Sequence, residues 1–103
     1  MKKFYDAMKQ AQQIHERLMK TRESLAGREV EATSGGGMVR AVVSGKKRLL
    51  SLEIKPEVVN AGEVEMLQDL IISAINGSLE KADDLVREEV AKVTGGLPIP
   101  DLF

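Results

Sequence analysis

The chain has no cysteine, no tryptophan and a single histidine, and aromatic residues make up only 3% of its 103 positions. Without cysteine there is neither a disulfide framework nor a thiolate metal site, which fits a reducing compartment. His15 has no second imidazole or thiol to work with, so no metal and no other cofactor is expected. Phe4, Tyr5 and Phe103 are too few for a platform that stacks unpaired bases. Long apolar runs are also missing. The longest are three residues, as in Leu70-Ile71-Ile72, and the N-terminal MKKFYDAMKQ has two lysines but no apolar h-region, so neither a membrane span nor a signal peptide is expected. These absences predict a cytoplasmic protein with an aliphatic core and no membrane partner.

Apolar residues are nevertheless 43% of the chain, enough for one domain whose small size makes it marginal as a monomer and favours a partner subunit. The net charge of -1 hides a gradient. Residues 1–28 carry seven cations against three acids, residues 29–60 five against four, and residues 61–103 three against nine. A basic N-terminal half of this kind points to a polyanion or to solvated helix faces, and the pI of about 5.9 weighs towards the second.

Hydrophobic spacing divides the chain. Phe4, Ala7, Met8, Ala11, Ile14, Leu18 and Leu25 recur every three to four residues, which predicts an amphipathic helix over residues 1–27. Phe4, Ala11, Leu18 and Leu25 form a seam seven residues apart that suits packing on another helix. From Glu29 the period becomes two. EVEATS, MVRAVVS and LLSLEIK predict three antiparallel strands over 28–56, with Val30 and Ala32, then Val39, Ala41 and Val43, then Leu50, Leu52 and Ile54 on one buried side. Asn60 and Glu63 resemble a capping box that opens a second helix over 60–94. Its apolar face is wide enough to cover the sheet first and a helix later. The helical period runs through Asn76-Gly77 in register, so Gly77 is expected to mark close approach of another backbone. The Gly95-Gly96 pair and two prolines predict an extended tail over 95–103.

Three successive glycines at 35–37, and Gly45 ahead of Lys46, Lys47 and Arg48, raise the question of a phosphate-binding loop. That loop needs G-x-x-x-x-G-K-[ST] between a strand and a helix, because the helix N-terminus binds the anion. Here Arg40 and Lys47 occupy positions that would have to be glycine and Ser or Thr, and a strand follows each glycine group. The glycines are expected to supply positive φ in turns. The carboxylates Asp83, Asp84, Glu88 and Glu89 have no paired base or nucleophile beside them, so no enzyme and no small-molecule substrate is expected.

The order of these parts is similar to that of a known family. MKQAQQI (8–14), SGGGMVRAVVSG (34–45), LEIKPEVV (52–59), EMLQDLIISAIN (65–76) and the Gly-Gly-Leu-Pro stretch together resemble the YbaB/EbfC family of bacterial nucleoid-associated proteins over nearly the whole chain. Lys55 stands where many members have Asp, and Ser73 and Gly77-Ser78 interrupt a stretch often rich in alanine. The resemblance implies an α+β fold, an α-β-β-β-α protomer with a three-stranded antiparallel sheet and two long helices, paired into a tweezer-like homodimer that binds double-stranded DNA at the nucleoid. On the residues, Lys9, Arg17, Lys20, Arg22, Lys46, Lys47 and Arg48 are the candidate phosphate contacts. The rival reading is a protein-interaction or assembly module whose seamed helices bind another chain.

Overall fold

A computed structural model describes residues 1–96, and all but the first two residues of the expected tail lie outside them. Helix α1 (Lys2–Ala26) leads into strands β1 (Glu29–Ser34), β2 (Val39–Ser44) and β3 (Leu49–Ile54), and two short 3-10 turns precede helix α2 (Val64–Thr94). The sheet is antiparallel throughout, in the order β1-β2-β3.

Glycine and small residues set how these elements meet. Gly35, Gly36 and Gly37 all have positive φ and close the β1–β2 hairpin, as the turn chemistry predicts. In α2 the small residues Ala74, Gly77, Ser78 and Ala82 recur at helical spacing, and Ala74, Ser78 and Ala82 are fully buried. A side chain at Gly77 would bring its Cβ to 3.2 Å from the Ala32 Cβ of β1. The helix is therefore continuous through Gly77, and glycine is used there because α2 lies directly on the sheet. Ser34 Oγ donates to the Leu70 carbonyl at 2.6 Å, tying the end of β1 to α2.

Two apolar clusters follow one another along α2. Near its start Ala74 packs with Val39 and Ala41 of β2, flanked by Leu67, Leu70 and Ile71. Further on, Leu85 and Val86 enclose Leu25 of α1, with Val30 and Val90 against them. The wide face covers the sheet first and a helix second, as its sequence pattern predicts. Leu25 is only 1% exposed, and full burial of such a side chain is worth roughly 1.5–3 kcal/mol.

Three expectations are corrected, and the α1 seam is filled only in part: Leu18 and Leu25 are buried, while Phe4 and Ala11 lie on a projecting stretch where every residue from Met1 to Arg17 is exposed. Strand β3 does not bury one side. Leu50 and Leu52 remain 48% and 37% exposed, because β3 is an edge strand and α2 packs over β1 and β2. The helix start shifts from residue 60 to Val64. Asn60 caps a 3-10 turn instead, its Oδ1 accepting from the Gly62 amide at 3.0 Å. Finally, Gly45 does not supply positive φ. In the β2–β3 turn that role falls to Lys47, at φ 64.

Projection of α1 makes the molecule long. The principal extents are 72 × 20 × 16 Å and the radius of gyration is 19.2 Å, against about 13 Å for a compact domain of this length.

Candidate nucleic-acid interface

Gly45 explains how the basic turn is held against α1. A Cβ built on it would lie 2.3 Å from the Leu25 carbonyl oxygen, and the Gly45 amide donates to the Arg28 carbonyl at 3.0 Å. Only glycine lets the two backbones meet this closely. The contact brings Lys46 and Lys47 beside Arg22, and these three cations with Leu25 and Gly45 line a cavity of about 150 Å³.

The seven candidate cations thus fall into separate groups. Arg22, Lys46 and Lys47 line one cavity at the joint between α1 and the second hairpin, with Arg48 exposed at the end of the same turn. Lys20 lines a different depression, together with Thr21, Ser24, Arg28 and Glu89. Lys9 and Arg17 are exposed on the projecting half of α1. Among the described residues Lys47 alone of the seven forms an ion pair, with Asp83 of α2. The other six form no ion pair among the described residues.

Arg40, which the sequence places on the strand leading to the tip, points elsewhere. It lies across from Thr33 and Glu53, towards the glycine hairpin, and is held by Glu31 and Glu53. The hydrogen bond to Glu31, reinforced by the charges of both carboxylates, raises its pKa above an already high value. Arg28 is also engaged, with Glu89 at 3.3 Å. Glu89 in turn is lowered below the usual carboxylate range, first by the hydrogen bond from Lys92 at 3.0 Å and then by the charges of Lys92 and Arg28. Sequence alone could not separate engaged from free cations, since every partner but those on α2's own surface is distant in the chain.

Among the described residues no group of three or more His, Cys, Asp or Glu side chains could hold a metal ion, and no helix is long and apolar enough to cross a membrane.

Comparison with known proteins bears on the family and the fold. The model of the YbaB/EbfC DNA-binding family matches residues 1–97. A nucleoid-associated protein of Thermoanaerobacter pseudethanolicus is 51% identical over 96 residues, covering 93% of this chain and 86% of its own. A nucleoid-associated protein of Caldanaerobacter subterraneus is 50% identical with the same coverage. The crystal structure of an uncharacterized protein from Helicobacter pylori superposes with a TM-score of 0.64 at 24% identity, covering 86% of this chain and 95% of that one. That last likeness concerns the fold.

Proposed function

Because the chain belongs to the YbaB/EbfC DNA-binding family, we propose that it binds double-stranded DNA as a homodimer, chiefly through phosphate contacts, and so contributes to nucleoid organisation and gene regulation. The observation that carries this reading is the free arm of α1. Residues 1–17 are all exposed, yet they carry Lys2, Lys3, Lys9 and Arg17 against only Asp6 and Glu16. Lys2, Lys9 and Lys20 lie nearly in line on one side of the helix, roughly opposite Phe4 and Ala11. Lys9 to Lys20 spans about 16 Å of helix, and a duplex offers a negative charge about every 1.7 Å along its axis. A basic line on a projecting helix therefore suits a polyanionic rod, and twofold pairing doubles it.

Pairing also answers the apolar surface left open. Phe4 and Met8 on the arm, and Leu49, Leu50 and Leu52 on β3, are all more than a third exposed. The two sheet edges differ. On β1 the Lys81 ammonium covers the Glu31 carbonyl at 2.8 Å, whereas among the described residues no side chain covers the outer backbone of β3. An open apolar edge of this kind is a pairing surface, and we assign it to the second protomer.

The same exposed surface favours a second reading, an assembly module without direct DNA contact. The two part on one experiment. In a mobility-shift assay with duplex of arbitrary sequence, the protein shifts the duplex and the Lys9→Glu/Arg17→Glu variant loses most of that shift. An equal shift by both proteins removes the arm from the interface, and no shift by either, at low salt, leaves the assembly module.

A further inference from the structure

Lys47 is the only residue other than glycine with positive φ among the described residues. A lysine stands where glycine would be the less strained residue, so the strain has to be weighed against what its side chain does. The turn that holds it is well tied. Ser44 O accepts the Lys47 amide at 2.8 Å, and Ser44 Oγ accepts the amides of Lys46 and Arg48 at 3.2 and 3.4 Å. From this turn the Lys47 ammonium reaches across to the Asp83 carboxylate of α2, while Lys46 and Arg22, beside it around the cavity, have no carboxylate partner among the described residues. The joint holds three cations and a single acid engaging one of them.

We infer that this joint is a seat for a phosphate oxyanion and that Asp83 acts as its internal competitor, holding Lys47 until a phosphate oxygen replaces the carboxylate. The inference rests on the duplex-binding reading for its ligand, a backbone phosphate. Exchange requires no unfolding, since the Lys47 and Asp83 side chains are 42% and 37% exposed and a pair so open to solvent is weak. Asp83 therefore tunes affinity without blocking it. In the free protein Lys47 is already neutralised, so its contact with a phosphate adds less than an unpaired lysine would.

Asp83→Asn frees Lys47 and tests the seat. Full-length protein is titrated against a 25-base-pair duplex over a range of salt, with far-UV circular dichroism confirming equal folding. Asp83→Asn binds about five- to tenfold more tightly at 0.1 M salt, and its log affinity against log salt steepens by about 0.9 per protomer, the signature of one further counterion released when Lys47 meets its phosphate. Asp84→Asn removes the same charge one residue away, from a carboxylate that faces Arg87 at 3.5 Å, and changes affinity by less than twofold. Adding Lys47→Ala to Asp83→Asn abolishes the gain. An equal gain in Asp83→Asn and Asp84→Asn, or a gain that survives Lys47→Ala, overturns the inference. Inorganic phosphate followed by amide NMR shifts separates the seat from the duplex. Shifts at Arg22, Lys46 and Lys47 that saturate at lower phosphate in Asp83→Asn support the seat even if no duplex binds, in which case the duplex reading alone fails. Identical titrations in the two proteins refute the seat even where duplex binding is intact.

Discussion

Gly45→Ala is the sharpest probe of how α1 is fixed to the sheet. The added methyl carbon would stand 2.3 Å from the Leu25 carbonyl oxygen and 3.0 Å from its carbon, and both are backbone atoms that no rotamer change can move aside. Relief requires the β2–β3 turn and the end of α1 to separate. That separation strains the 3.0 Å hydrogen bond from the Gly45 amide to Arg28 and loosens Leu25 from Leu85 and Val86. Overpacking costs about 1–3 kcal/mol and a weakened hydrogen bond about 1 kcal/mol, so a loss of about 2–4 kcal/mol is expected. For a domain of this size each kcal/mol moves Tm by about 4–8 °C, giving a fall of roughly 8–32 °C. Urea denaturation followed at 222 nm measures the free energy directly. Gly27→Ala is the control, because its Cβ would meet nothing nearer than Ser24 O at 3.7 Å and its φ is -90. Should Gly45→Ala lie within 0.5 kcal/mol of the parent, the close approach of the two backbones is wrong.

Three further outcomes follow from the same geometry. Gly77→Ala should destabilise by about 1 kcal/mol despite the better helix propensity of alanine, because Ala32 is buried in the sheet at 3.2 Å; in an Ala32→Gly background the sign should reverse, and chemical denaturation of the four proteins of the cycle checks it. Glu89 is held below its ordinary carboxylate pKa, so its stabilising contribution is complete above that ordinary value and is lost as pH falls through the lowered one; the stability difference between the parent and Glu89→Gln should accordingly shrink between pH 6 and pH 3 in parallel urea titrations. Leu50→Lys/Leu52→Lys should turn the proposed dimer into a folded monomer in analytical ultracentrifugation and weaken duplex binding, whereas a dimer that persists excludes the β3 edge.

Much of the fold was legible because it is local. Period-two alternation located all three strands, the 3-4 spacing located both helices, and continuity of that spacing through Gly77 marked a helix resting on something. What escaped depends on which element covers which. Leu50 and Leu52 alternate as a buried face would, but their exposure follows from α2 lying over the other two strands. Phe4 and Ala11 continue the seam's spacing, yet both are exposed. Gly45 looks like a turn residue in sequence, and its contact with Leu25 spans 20 positions. The candidate interface was legible as a list of cations and not as an arrangement. Nothing in GKKR reveals that Lys47 meets Asp83, or that Arg22 joins Lys46 across a cavity. Arg40 shows the converse, since the strand register alone decides that two glutamates neutralise it.

The salt dependence of duplex affinity tests the central claim most directly. With the protein titrated against a duplex of arbitrary sequence between 50 and 300 mM salt, log affinity should fall linearly against log salt with a slope of about -3.6 or steeper, as four or more neutralised phosphates require at about -0.9 each. A line that stays flat over that range, or an affinity lost altogether at the lowest salt, would contradict it.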